Sequence, residues 1–95
     1  MIRSFGDKGL ENCYRNQKCA SVPSELRKRI LAKLTMMDEA ETIADLDTPG
    51  NRLHPLKGDW AGYWAIDISG NWRMIFKASG KGKGTFDDVQ YIDYH

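Results

Sequence analysis

Trp60-Ala61-Gly62-Tyr63-Trp64-Ala65-Ile66-Asp67-Ile68-Ser69-Gly70-Asn71-Trp72-Arg73-Met74-Ile75-Phe76-Lys77 is the run whose reading decides the fold. Trp60, Gly62, Trp64, Ile66 and Ile68 share one side of a two-residue period. Ala61, Tyr63, Ala65 and Asp67 take the other, as in a strand with one buried face. Ser69-Gly70-Asn71 has hairpin-turn chemistry. The next run sets Trp72, Met74 and Phe76 against Arg73, Ile75 and Lys77, so Arg73 is expected to face away from the aromatic core side. A final strand from about residue 86 to residue 94 completes an antiparallel meander.

Upstream of this run the period changes. Met1-Ile2-Arg3-Ser4-Phe5 alternates like a short strand. Gly6-Asp7 then supplies a turn and an N-cap for a short helix starting near Lys8, with Leu10, Cys13 and Tyr14 as its apolar face. After Pro23 a second helix is expected, capped by Ser24 or Ser21. Its apolar stripe is Leu26, Ile30, Leu34 and Met37, with Leu31 beside it. Arg27, Lys28 and Lys33 then point outward and Arg29 lies on the flank. Residues 40–48 allow one more helical turn with Ile43 and Leu46 inward, ended by Thr48-Pro49-Gly50. The expected architecture is α+β: an N-terminal strand, two or three helices, then a meander with the helices on one sheet face. The other sheet face is expected to be free and polar.

Ninety-five residues, 41% hydrophobic and 28% charged, suit one globular domain spanning 1–95 that needs no covalent staple. Cys13 reads as a small buried apolar residue and the context as a reducing cytoplasm, with nothing resembling a signal peptide. No apolar run approaches the roughly 20 residues of a membrane span, so a soluble protein is expected. The net charge of +1 hides an asymmetry. Arg3, Lys8, Arg15, Lys18, Arg27, Lys28, Arg29 and Lys33 crowd the first third, whereas Asp38, Glu39, Glu41, Asp45 and Asp47 form an acidic run. A basic face able to meet a polyanion is therefore possible on charge grounds, though solvated helix faces would look the same. Ser79-Gly80-Lys81-Gly82-Lys83-Gly84 is rejected as a phosphate-binding loop, because it joins two strands instead of opening a helix.

His54 and His95 are the only histidines, and histidine is the side chain that trades protons near neutrality unperturbed. Asp93 and His95 share a face if the last strand persists, and the terminal carboxylate of His95 favours its imidazolium. A C-terminal extension is expected to impair activity for that reason. RNA cleavage by its own 2′-hydroxyl needs a base, an acid and cations around the phosphate. His54, Asp93 and His95 with Lys57 and Arg73 supply these without metal or cofactor. A metal set from Asp93, His95 and His54 lacks helical ligand spacing and is too short.

Met1-Ile2-Arg3-Ser4-Phe5, Lys8-Gly9-Leu10, Arg52-Leu53-His54-Pro55-Leu56-Lys57-Gly58-Asp59, Gly62 with Trp64, Asn71-Trp72-Arg73 and the final Asp93-Tyr94-His95 together resemble the HigB toxins, the host-inhibition or killer branch of the RelE/ParE superfamily. The resemblance implies a microbial RNase fold and a toxin that cuts messenger RNA in the ribosomal A site. It matches His54, Asp93, Tyr94 and His95 to the catalytic residues, and Lys57 and Arg73 to the phosphate-facing cations. The implied partners are a HigA-type helix-turn-helix antitoxin, the ribosome and mRNA, with operator DNA reached only through the antitoxin. Two other readings compete: a non-catalytic inhibitor of a macromolecular target, as in the related ParE toxins, and a plain RNA-binding module.

Overall fold

The computed structural model describes residues 1–93. Helix α1, Lys8–Asn16, begins where Asp7 accepts a hydrogen bond from the Leu10 N–H at 3.0 Å. It ends at Gln17, whose left-handed backbone lets its N–H reach the Asn12 carbonyl. Helix α2, Arg27–Glu39, starts without a side-chain cap. Neither Ser21 nor Ser24 serves it. Leu26 and Arg27 instead donate to the Pro23 and Ser24 carbonyls, so hydrogen-bonded turns run directly into the helix. The expected turn after residue 40 is a 3-10 turn, Ile43–Leu46, closed by a capping box between Thr42 and Asp45.

Four antiparallel strands follow in sheet order: β1 His54–Pro55, β2 Trp64–Ser69, β3 Trp72–Ser79 and β4 Thr85–Asp93. Strand β1 was not foreseen, since two residues including a proline carry no alternation. Strand β2 starts later than expected. Gly58–Trp60 forms a 3-10 turn, and Trp60 therefore leaves the helix-side face and packs near Tyr63 on the opposite one. The N-terminal segment does not make a continuous ladder. It touches β4 through two parallel bridges, Ile2 with Phe86 and Phe5 with Val89, and the kink at Asp88, where φ is 54°, separates them.

Both helices lie on one sheet face. Leu10, Cys13, Ile30, Leu34 and Met37 meet Ile66, Met74, Phe76, Phe86 and Val89, all within 1% of complete burial. Each large side chain so buried contributes roughly 1.5–3 kcal/mol. The opposite face is not simply polar. Leu56, Ala65 and Ile75 form a small apolar floor, flanked by Trp60, Tyr63 and Ile92.

Cys13 is buried as expected, yet it is not a free thiol: Cys13 and Cys19 are joined by a disulfide. The chain turns back at Gln17, which brings the two Cα atoms to 4.2 Å. The basic face of α2 is also narrower than its sequence suggests. Lys28 and Arg29 are exposed, but Arg27 donates to the Val22 carbonyl at 2.9 Å and Lys33 turns in to Asn51. The 79–84 connection carries a short 3-10 turn, Lys81–Lys83. Gly84 packs so closely that a Cβ there would collide with the Glu41 carbonyl. Among the described residues no helix is long and apolar enough to cross a membrane.

Candidate active site

Strand register sets most of the foreseen residues on the face away from the helices. His54 pairs with Ala65, Ala65 with Ile75 and Ile75 with Gln90, which makes one row across the sheet. The neighbouring row on the same face runs Asp67, Arg73, Ile92. Two strand spacings and two residues of rise separate His54 from Arg73, about 12 Å between Cα atoms. The apolar floor of Leu56, Ala65 and Ile75 lies between and around them. Lys57 is exposed just past β1, next to buried Leu56, whose N–H donates to the Tyr63 carbonyl at 2.9 Å.

The half-buried His54 ring is oriented by backbone. Its Nδ1 lies 2.6 Å from the Arg52 carbonyl oxygen, and a carbonyl can only accept. Nδ1 therefore carries a proton, and in the neutral ring Nε2 holds the lone pair. Arg73 is fixed at three points. Its Nη1 donates to the Gly70 and Trp72 carbonyls at 2.6 and 3.0 Å, and its Nε lies 2.9 Å from Asp67 Oδ1. That last contact is an ion pair without hydrogen-bond alignment, and the buried Oδ1 has no hydrogen-bond partner among the described residues. Arg52 Nε approaches the other oxygen of Asp67 at 3.4 Å.

Behind this cluster sits Asn51, the buried polar side chain of the described residues, at 1% exposure. It accepts from Lys33 and donates to the Leu46 carbonyl at 3.0 Å, while its own carbonyl accepts the Asp67 N–H at 2.7 Å. Burial pushes the Lys33 pKa down, an effect that Asp67 opposes and Arg29 reinforces. Farther along the face the Tyr63 hydroxyl donates to Asp88, and Lys77 Nζ lies 5.1 Å from the Tyr63 ring centre. The hydrogen bond to Asp88, followed by burial and the Asp88 charge, pushes the Tyr63 pKa up to about 12.

Not every foreseen residue joins this face. Asp93 pairs with Trp72, which packs on the helix side, so the register puts Asp93 on the opposite face from Arg73 at the end of β4. Tyr94 and His95 lie outside the described residues. Arg52, Asp67 and Asn51 were missed as site residues. A signal for one of them was present: Asp67 and Arg73 stand three positions either side of Gly70, so a hairpin turning there sets opposite charges face to face. Among the described residues no group of three or more His, Cys, Asp or Glu could hold a metal ion.

Comparison with known proteins agrees with this architecture. A family profile described as the RelE-like toxin of the type II toxin-antitoxin system HigB matches residues 3–95. Endoribonuclease HigB of Proteus vulgaris is 38% identical over 95 residues, covering 100% of both chains. Toxin HigB-1 of Vibrio cholerae serotype O1 is 34% identical over 79 residues, 81% of this chain and 83% of that one. Among solved structures, a YoeB/ParE toxin from Agrobacterium tumefaciens superposes with a TM-score of 0.59 at 20% identity, covering 99% and 97% of the two chains. YafQ from Escherichia coli superposes with a TM-score of 0.57 at 17% identity, covering 94% and 89%. These two carry the fold alone, which is RelE-like. A type II system also implies an antitoxin partner. The chain thus belongs to the HigB-like family, the RelE-like toxins of type II toxin-antitoxin systems.

Proposed function

We propose that this toxin, an endoribonuclease like its full-length relative, cuts messenger RNA in the ribosomal A site and so halts translation in the cytoplasm. The observation that carries the reading is the sheet face away from the helices, where the strand register sets an oriented histidine and a tethered arginine on one surface. His54 with its Nε2 lone pair has the form of a general base for a ribose 2′-hydroxyl. Arg73 and Lys57 supply cations for the charge that builds on the phosphate. By the family resemblance His95 handles the proton of the leaving 5′-oxygen and Tyr94 orients the nucleotide, while Asp93, which the register turns away from Arg73, keeps a part only as the carboxylate at the end of β4. No step calls for a metal ion.

The ribosome supplies substrate placement in this reading, so a small face with few groups suffices. A HigA-like helix-turn-helix antitoxin is the proposed neutralising partner, with operator DNA contacted only through it. Primer extension on a translated message tests the proposal with wild-type protein, His54→Ala and His95→Ala. New 3′ ends are expected for wild type and should fade in both variants. Equal cutting by all three proteins would sink the residue assignment. Arrested synthesis on intact message would favour non-catalytic inhibition.

A further inference from the structure

We propose that Asp67 is the positioning residue of this face, one carboxylate that sets both the phosphate-facing Arg73 and, through Arg52, the proton-handling His54. The inference rests on the endoribonuclease reading above. Asp67 faces away from the core cluster, its side chain 18% exposed, and each of its oxygens answers a different guanidinium. Oδ1 is buried without an aligned donor, so the Arg73 charge beside it is what compensates it. With Nε and Nη1 engaged, Arg73 has Nη2 left to offer, for which no partner exists among the described residues. A guanidinium so tethered presents two N–H groups in a fixed direction, as a phosphate oxygen requires.

The same residue reaches His54 by a second route. The Asp67 N–H binds the Asn51 carbonyl and its Oδ2 pairs with Arg52, so residues 51 and 52 are fastened to β2 by main chain and side chain together. Arg52 holds a left-handed backbone, φ 51°, which costs a non-glycine residue on the order of 1 kcal/mol or more. What that conformation accompanies is a carbonyl aimed at His54 Nδ1. Loss of the Asp67 charge releases the Arg52 side chain and leaves only the main-chain bond to Asn51, which loosens the carbonyl that selects the ring's tautomer. Two guanidinium groups on one carboxylate also leave a net positive charge, with Arg52 exposed and Arg73 mostly covered, which suits an RNA phosphodiester.

Asp67→Asn keeps the side chain's size and removes its charge. In the free protein, NMR of the arginine Nε–H groups and of the His54 ring nitrogens is expected to show Arg73 and Arg52 protected in wild type and released in Asp67→Asn, with His54 drifting from a single Nδ1–H tautomer. In single-turnover cleavage on mRNA-programmed ribosomes, the maximal rate should fall on the order of 100-fold with the half-saturating concentration nearly unchanged. Asp67→Glu should recover part of the rate. Arg52→Gln, at a side chain 71% exposed, tests the His54 arm without endangering the fold and should shift the tautomer signal and slow cleavage. Unchanged arginine signals in Asp67→Asn, or a maximal rate equal to wild type, would overturn the proposal. Wild-type protein that cuts no message would instead sink the endoribonuclease reading, leaving the NMR arm to decide the positioning role.

Discussion

At the residue scale, Tyr63 and Asn51 are the side chains whose surroundings give measurable consequences. The Tyr63 hydroxyl is held neutral by its hydrogen bond to Asp88, with burial and the Asp88 charge acting in the same direction. Because the folded value is raised, the stability it contributes is present in full below pH 10 and is lost as pH rises through about 12. An ultraviolet titration of wild type minus Tyr63→Phe should therefore show the phenolate emerging near pH 12. Ionisation at the ordinary value would mean the Asp88 bond is not made in solution. For Asn51, substitution by Ala strands the Leu46 carbonyl and the Lys33 ammonium together. A loss of about 1–3 kcal/mol is expected in denaturant unfolding. A loss below a few tenths would show that water replaces the side chain.

At the element scale, the disulfide closes a loop with a sequence separation of 6 at the end of α1. Chain-entropy reasoning puts its contribution at about 2 kcal/mol. Urea unfolding with and without a dithiol reductant should differ by that amount, and Cys19→Ser should no longer respond to reductant. Equal midpoints would show that the reduced helix end is held as well by packing. This element also shows where sequence reasoning stopped. Leu10, Cys13 and Tyr14 fit a helix face correctly, but that pattern says nothing of a chain reversal that brings Cys19 back. The β2–β3 hairpin was legible because its period of two holds from Trp64 to Ile68, with a register shift only just before the turn, and Arg73 was assigned to its face by the same alternation. The two-residue β1 has no period to read, so His54 and Lys57 rested mainly on the resemblance, with the scarcity of histidine and the charge of Lys57 as the other cues. Asp93 was readable as a strand residue, but its face was not. That depends on the pairing with Trp72, which a bulge between Ile75 and Lys77 helps to set.

At the scale of the whole molecule, the beginning and end of the described chain meet. Arg3 pairs with Asp87 at 2.7 and 2.9 Å, and Ser4 and Ser79 also donate to that carboxylate. The Arg3 hydrogen bond leads in holding the Asp87 carboxyl below its ordinary value, helped by Ser79, the Arg3 charge and Ser4, while burial opposes them. A depressed carboxyl stabilises the fold above its unfolded pKa and loses that contribution as pH falls through the folded one. Acid unfolding of wild type should accordingly be steeper at its low end than that of Asp87→Asn, followed by circular dichroism between neutral pH and pH 2. Superimposable acid limbs would remove this clasp from the account. A second link works alongside it: Asp38 accepts from the Ile2 N–H and the Tyr14 hydroxyl, both at 3.0 Å. The acidic run that begins in the last turn of α2 is thus partly structural, which is why total charge was a poor guide to the surface.

The sheet's outer strand β1 ends in Pro55, directly after the histidine. An open sheet edge is a template for strand addition, and chains that leave one uncovered tend to associate edge to edge. A two-residue strand whose second member has no N–H cannot extend that ladder. On the proposed reading, the edge beside His54 can therefore receive a nucleic acid without offering another copy of the protein a ladder to extend, and a proline with no part in proton transfer limits strand addition there.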